Sequence, residues 1–278
     1  MARFDGILLT ADFDRTLTDF SGNIPRQNIE AIRYFMENGG RFTVNTGRSI
    51  PFSKVIRDSV PYNAPMLCYN GAVAYENGRV LFSCPIDLPM GQTLHTVCQA
   101  FPQFDIALHG LNAHYHFQPQ TYWQNYIPSA DSIHRYGRFG EDYGPFIKFN
   151  VCGGAPGEDT RNLFSGSAEE IAELDKAQAF LEDTFGEKLV IYRSGARMLN
   201  IQAKGTSKAI GARKLQKILG CHCLVCVGDE GNDLPMLLDA DFAYCPADGR
   251  LADRFETVCA CAGGALADVI YKKLPAIL

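Results

Sequence analysis

Ile7-Leu8-Leu9-Thr10-Ala11-Asp12-Phe13-Asp14-Arg15-Thr16-Leu17-Thr18 is an apolar run that breaks into a pair of aspartates. Far along the chain the pattern recurs as Leu224-Val225-Cys226-Val227-Gly228-Asp229-Glu230-Gly231-Asn232-Asp233. Each apolar run reads as a buried strand, and carboxylates at the carboxyl ends of neighbouring strands in an open α/β sheet converge on one crevice. Like charges packed that closely repel, so such a site calls for a cation. Oxygen-only ligands select Mg²⁺ or another hard ion.

Outward from the first cluster, strand and helix alternate. A strand over 7–10 is followed by a helix opened by Pro25, with Ile29, Ile32, Phe35 and Met36 at helical spacing and Gly39-Gly40 as its stop. A strand over 41–45 breaks at Thr46-Gly47, a helix over 51–59 turns Val55 and Ile56 inward, and a third strand, 66–69, stops at Asn70-Gly71. Three βα units in series predict a doubly wound, mostly parallel α/β sheet. The pattern then changes. Runs at 72–75 and 79–82 flank Glu76-Asn77-Gly78, a hairpin signal.

From 85 to 198 no βαβ repeat is visible. A helix over 91–100 precedes strands at 104–108, 114–117 and 146–152. A helix over 168–185 carries Ile171, Leu174, Ala177 and Leu181 on one stripe, and strands at 189–193 and 198–201 follow. This predicts a separate α+β domain, residues 85–198, inserted into an α/β core of residues 1–84 and 199–278. The α/β pattern resumes with a helix over 207–219 that turns Ile210, Leu215 and Ile218 inward, the strand 224–227, a short helix at 234–238, a strand at 242–245 and a helix over 264–273.

Composition narrows the function classes. The 278 residues carry a net charge of −5, which argues against a nucleic-acid or anionic-membrane surface. No apolar stretch approaches the ~20 residues needed to span a bilayer, and Met1-Ala2-Arg3-Phe4-Asp5 predicts no leader. The ten cysteines, several in strand-like runs (Cys68, Cys152, Cys226), read as thiols in a reducing cytoplasm, because a chain this rich in core residues needs no staples. Cys221-His222-Cys223 with Cys226 suggests a metal site on composition alone, but Cys223 and Cys226 would point to opposite faces of one strand.

Asp12, at its strand end, is a candidate nucleophile for phosphorus; a solvated acidic turn is the bland alternative. Asp14 is the candidate general acid and base, a role that partial burial and repulsion would support by raising its pKa above that of Asp12. Thr46-Gly47-Arg48 offers a hydroxyl and main-chain N–H groups as an anion seat. Lys208 stands in the first turn of a helix, where the dipole disfavours a cation, so an anionic partner is expected; Lys204 competes for the role. Asp229 can bind the cation, Asp233 can hold a metal-bound water or orient Lys208, and Asn232 can bind ligand or loop. Gly228 and Gly231 permit the tight turn. Phosphoryl transfer in such a site rests on positioning and charge neutralisation.

These residues together resemble the haloacid dehalogenase-like phosphohydrolases, and within them the Cof-type group, whose cap domain is inserted between the second and third motifs. Asp12, Asp14 and Thr16 meet Asp-x-Asp-x-Thr; Thr46, Gly47 and Arg48 meet the strand-end Thr-Gly-Arg; Lys208 in Gly205-Thr206-Ser207-Lys208-Ala209 meets the lysine motif; and Gly228 to Asp233 meet Gly-Asp-x-x-Asn-Asp. Asn70-Gly71 matches a position near the substrate. The resemblance implies a class IIB cap that sets substrate choice and Mg²⁺-dependent hydrolysis of small phosphomonoesters, often sugar phosphates. It implies catalysis by Asp12, Asp14, Thr46 and Lys208, and phosphate or substrate contacts from Thr46, Gly47, Arg48, Asn70, Lys208 and Asn232. It also implies a metal held by Asp12, Asp229, Asp233 and the main-chain carbonyl of Asp14. Arg15 stands where the family most often has Gly, and would narrow the pocket, bind substrate or point to solvent. A mutase or phosphotransferase using the same aspartate, or a silent phosphate-binding regulator, are the competing functions. In the insert, His114 and His116 share a strand face where a second metal could sit. Tyr122-Trp123-Gln124-Asn125-Tyr126 offers aromatic and amide groups for a sugar, or a small core of its own. Oligomeric state is not legible.

Overall fold

The structure, a computed structural model, describes residues 2–117, 133–136, 144–153 and 166–277. The stretch holding Tyr122 to Tyr126 lies outside the described residues. In chain order the elements are β1 (Ile7–Ala11), α1 (Arg26–Glu37), β2 (Arg41–Val44), a 3₁₀ turn Pro51–Ser53, α2 (Lys54–Ser59), β3 (Met66–Cys68), β4 (Val73–Glu76) and β5 (Arg79–Ser83). Then come α3 (Met90–Ala100), β6 (Asp105–His109), β7 (Ala113–His116), β8 (Ile133–Tyr136), β9 (Lys148–Cys152), α4 (Ala168–Phe185), β10 (Leu189–Ser194) and β11 (Met198–Ala203). Last are α5 (Lys208–Leu219), β12 (Cys223–Val227), α6 (Leu234–Asp239), β13 (Phe242–Pro246), β14 (Glu256–Val258), α7 (Ala265–Asp268), a π-helical turn Val269–Lys273 and α8 (Leu274–Ile277). Among the described residues no helix is long and apolar enough to cross a membrane.

The chain forms two compact units, residues 1–48, 55–83 and 207–278 in one, and 49–54 and 84–206 in the other. The first holds a five-stranded parallel sheet in the order β14-β13-β12-β1-β2. β3 joins β2 through a parallel bridge, Asn45 to Leu67, and carries on into the antiparallel β3-β4-β5. The β4–β5 turn has positive φ at both Asn77 (49°) and Gly78 (83°), the hairpin geometry that Asn-Gly favours. β1 is buried along its whole length because it is central and covered on both faces, which is why it reads as an unbroken apolar run. The chain runs from β1 to β2 on one side and returns to β12 on the other, so β1 marks the switch point where such sheets bind ligands. The register pairs Ile7 with Cys223 and Ala11 with Val227. Asp12 and Gly228-Asp229 therefore leave the sheet level with each other.

The second unit is a six-stranded sheet, β10-β11-β9-β6-β7-β8, antiparallel except for β7 with β8. Leu94, Val97, Leu174 and Leu181 from α3 and α4 pack with Ile106, Leu108, Phe149, Val151, Leu199 and Ile201. This is the expected architecture, a parallel α/β core with an inserted α+β domain. The insert closes later than residue 198: β11 is hydrogen-bonded on both edges within the second sheet, so the first unit resumes at Ser207.

Three helix faces differ from expectation. Ile210 and Ile218 are about half exposed, at 51% and 52%; the inward stripe of α5 is Lys208, Gly211, Ala212 and Leu215. That stripe has helical spacing, but a lysine and a glycine on it hide its hydrophobicity. Likewise Val55 is 48% exposed while Ile56 is fully buried, and Ile171 lies outward at 37% while Leu174, Ala177 and Leu181 are buried.

Gly211 is on the inward face for a steric reason. A Cβ there would meet Gly71 Cα and O at 2.6 Å, and one on Gly71, itself at φ 81°, would meet the Ser207 carbonyl at 2.5 Å. Helix propensity favours Gly211→Ala by ~1 kcal/mol, but backbone cannot yield cheaply, and overpacking costs ~1–3 kcal/mol. Gly211→Ala is therefore expected to lower the melting temperature, as read by circular dichroism; a stabilised variant would refute the close approach.

Candidate active site

Asp12 follows β1, and its N–H donates to the Val227 carbonyl (2.9 Å) at the end of β12. Lys208 is the first residue of α5, capped by Ser207, whose hydroxyl accepts from the Ile210 N–H. The fully buried Lys208 Nζ donates to Asp12 Oδ1 and to Asp233 Oδ1, both at 2.6 Å. Asp233 Oδ2 accepts from the Asp229 and Glu230 N–H groups, each at 3.1 Å, so this carboxylate ties the loop to the lysine. Gly228 permits this, since a Cβ there would meet Asp233 Cβ at 2.6 Å. Thr16 Oγ1 donates to Asp229 Oδ1 at 2.9 Å. The first and last motifs, distant in sequence, are thus bonded side chain to side chain.

A second group surrounds Thr46 and Asn70. Thr46 is buried, its carbonyl accepts from the Asn70 N–H (2.9 Å), and its Oγ1 accepts from the Arg48 N–H (3.1 Å). Asn232 Nδ2 donates to Asn70 Oδ1 at 3.2 Å, and a Cβ on Gly47 would meet that same oxygen at 2.9 Å. Tyr69, Asn70 and Gly71 all have positive φ (54°, 52° and 81°), a left-handed turn after β3. Thr46, Gly47, Asn70 and Asn232 are therefore brought together. Lys204 is elsewhere, exposed and donating to the Gly186 carbonyl, so Lys208 is the lysine of the cluster.

Asp14 departs from expectation. It is exposed rather than partly buried, and it forms an ion pair with Arg48. The turn it occupies is closed by the Leu17 and Thr18 N–H groups on the Phe13 carbonyl. Arg15 has φ 63°, the region where glycine is at ease, and its guanidinium lies 5.1 Å from the Phe20 ring centroid. One residue escaped the sequence reading. Asn45, fully buried at the end of β2, donates from Nδ2 to the Lys208 carbonyl at 2.9 Å and so fixes the start of α5. A lone asparagine closing an apolar strand is the only signal it offers.

Residues 9–250 match the sequence pattern of the haloacid dehalogenase-like hydrolases. The chain belongs to this family. It is 25% identical over 249 residues to the 5-amino-6-(5-phospho-D-ribitylamino)uracil phosphatase YbjI of Escherichia coli, covering 85% of this chain and 83% of that one. Among solved structures, a haloacid dehalogenase-like hydrolase of Bacteroides thetaiotaomicron superposes with a TM-score of 0.79 at 17% identity, over 97% of this chain and 99% of the other. The subclass IIB sugar phosphatase BT4131 gives 0.76 at 17%, over 98% and 99%. These two likenesses show a shared fold.

The electrostatics of this family member's cluster ask for a cation. Burial raises the Asp12 pKa well above the ordinary carboxylate value; Lys208 pulls it down, and Asp233, Asp229 and Asp14 push it up. Burial, then the Asp233 charge, pushes Asp229 up to about 7 against the pull of Thr16 and Lys208. Burial alone would lower the Lys208 pKa, but Asp12 and Asp233 together outweigh it and raise it. Three carboxylates against one ammonium leave negative charge in excess. Oxygens of Asp12, Asp229 and Asp233 lie within 4.8 Å of one another. Both Asp233 oxygens are engaged, whereas one oxygen each of Asp12 and Asp229 accepts no hydrogen bond among the described residues. This all-oxygen set of Asp12, Asp229 and Asp233 fits a divalent cation such as Mg²⁺, and Asp12 and Asp229 each offer it an oxygen without a hydrogen bond among the described residues. Among the described residues no histidine or cysteine joins a comparable group.

A linked pH effect follows. A carboxyl raised in the folded state favours folding most below its unfolded value of about 3.9 and loses that contribution as pH climbs through about 7. Metal competes with the proton, so Mg²⁺ is expected to raise the melting temperature clearly more at about pH 8 than at about pH 5.5. Equal shifts at both pH values, measured by calorimetry, would count against a metal held by these carboxylates.

Proposed function

We propose that the chain is a Mg²⁺-dependent phosphatase of the Cof-type, class IIB-capped group, cytoplasmic, and acting on small phosphomonoesters such as sugar phosphates. The observation that carries this is the buried Lys208 bridging Asp12 and Asp233 beside Asp229. The phosphatase activity in the name of YbjI, on a phosphorylated ribityl compound, and that of the sugar phosphatase sharing this fold support the substrate class.

In this reading Asp12 attacks phosphorus while Lys208, bonded to one of its oxygens, fixes its direction and neutralises charge. The bond from phosphorus to the leaving oxygen breaks as Asp14 delivers a proton to that oxygen. Asp14 then takes a proton from water, which attacks the aspartyl-phosphate and frees inorganic phosphate and Asp12. Thr46, the Gly47 N–H, Asn70 and Asn232 contact the phosphoryl group or substrate. Asp12, Asp229 and the Asp14 carbonyl would hold Mg²⁺, with Asp233 supporting them. When bound, the ion neutralises phosphoryl oxygens and holds them in line for attack. The insert is the domain that selects the leaving group. Ten cysteines left as thiols agree with a reducing compartment.

A panel of phosphorylated metabolites assayed for released phosphate tests this. Turnover of several sugar phosphates is expected, abolished by EDTA and restored by Mg²⁺. Release that persists in chelator would remove the metal from the reading. Binding without release from any compound would favour a silent regulator, and transfer to a second sugar a mutase.

A further inference from the structure

Arg48 comes from the strand-end Thr-Gly-Arg, where sequence places it in an anion seat. Its side chain is engaged otherwise. Nε donates to Asp14 Oδ2 at 3.0 Å and Nη2 to Asp14 Oδ1 at 2.6 Å, a fork against both carboxylate oxygens. The guanidinium lies 5.2 Å from the ring centroid of the buried Phe13. The main chain of Arg48 is pinned on both sides, its N–H to Thr46 Oγ1 (3.1 Å) and its carbonyl to the Tyr69 N–H (2.9 Å). The turn that carries Asp14 is closed on the Phe13 carbonyl by the Leu17 and Thr18 N–H groups. Both halves of the pair thus stand on fixed backbone.

We infer that Arg48 is a positioning residue for Asp14, setting the direction of its carboxylate rather than gripping the phosphoryl group. This rests on the phosphatase reading above. The pair is solvent-exposed, 36% and 54% by side chain, so it adds little to stability. What a planar fork adds is orientation, which lysine cannot copy. Two of the Arg48 donors face Asp14, and each Asp14 oxygen keeps a lone pair for the proton in transit. The proton passes from Asp14 to the leaving oxygen as that oxygen parts from phosphorus, and Arg48 exchanges no atom in the step.

Leaving groups separate this role from phosphate binding. p-Nitrophenol departs as a stable anion and needs little proton delivery, whereas an alkyl alcohol needs it. kcat/KM covers only the steps up to leaving-group release, so the later use of Asp14 as a base does not enter. In Arg48→Ala the ratio of kcat/KM for glycerol phosphate to that for p-nitrophenyl phosphate is expected to fall by about tenfold or more, within the range of general-acid catalysis. Arg48→Lys is expected to fall with it. Arg48→Ala combined with Asp14→Asn should be no worse than Asp14→Asn alone. An unchanged ratio, full rescue by lysine, or additive losses would overturn the proposal. The pair can also be read without turnover. The Arg48 Nε–H resonance is expected to shift and exchange faster in Asp14→Asn, and an unchanged resonance would refute the fork. Should no phosphate ester be cleaved while that resonance responds as expected, the phosphatase reading fails and the pairing stands.

Discussion

Asp12→Asn is expected to lose turnover by about 10⁴-fold or more, the scale seen when a covalent nucleophile is removed, while melting no lower than the parent in metal-free buffer. An amide has the carboxylate's shape but does not form an acyl-phosphate. The amide oxygen can still accept the Lys208 Nζ bond now made to Asp12 Oδ1, and Lys208 keeps Asp233. The substitution also removes the Asp12 carboxyl itself, whose raised pKa, set first by burial, opposes folding as pH climbs. The decline in metal-free stability with rising pH should therefore be shallower than in the parent. Activity and stability would move apart, as they do where a site is kept at the expense of the fold. Phosphate release and calorimetry at about pH 8 check both halves. Turnover within tenfold of the parent would remove Asp12 as nucleophile, and a markedly lower melting temperature would make it a structural residue.

The acid clusters are legible in sequence because each ends an apolar run, and the parallel register of β1 with β12 does the rest by holding the two ends level. Lys208 is legible through its misfit: a cation at a helix start needs a reason, and the buried carboxylates supply one. What sequence hides is whatever depends on partners without a period. The inward face of α5 is set by the Gly71–Gly211 contact, so counting apolar residues turns Ile210 and Ile218 the wrong way. β8 and β14 each span only a few residues and carry mixed polarity. Asn45 acts through a bond to a main-chain carbonyl far along the chain, and such a bond leaves no mark on residue type. The exposure of Asp14 follows from one turn and one arginine, and spacing alone suggests the reverse.

Lys208→Met is expected to lose both stability and turnover, and the two losses should respond differently to solvent. Removing one partner from a buried ion group leaves uncompensated charge and costs about 3–5 kcal/mol, on the order of 10 °C in melting temperature for a domain of this size. The Asp12 and Asp229 carboxylates, with Asp233 beside them, would then lack an internal cation, and the pKa values of Asp12 and Asp229, which Lys208 pulls down, rise further. Groups raised in this way favour folding at low pH and oppose it as pH climbs, which makes the deficit against the parent larger at about pH 8 than at about pH 5. Added Mg²⁺ supplies positive charge to the same carboxylates and should recover part of the melting temperature. It should not recover turnover, because the Nζ that fixes Asp12 is gone and the loss of one such contact costs about 10²-fold or more. A variant whose deficit is the same at both pH values would show that methionine merely packs badly. One that regains parental turnover with Mg²⁺ would show that Lys208 serves the fold and not the chemistry.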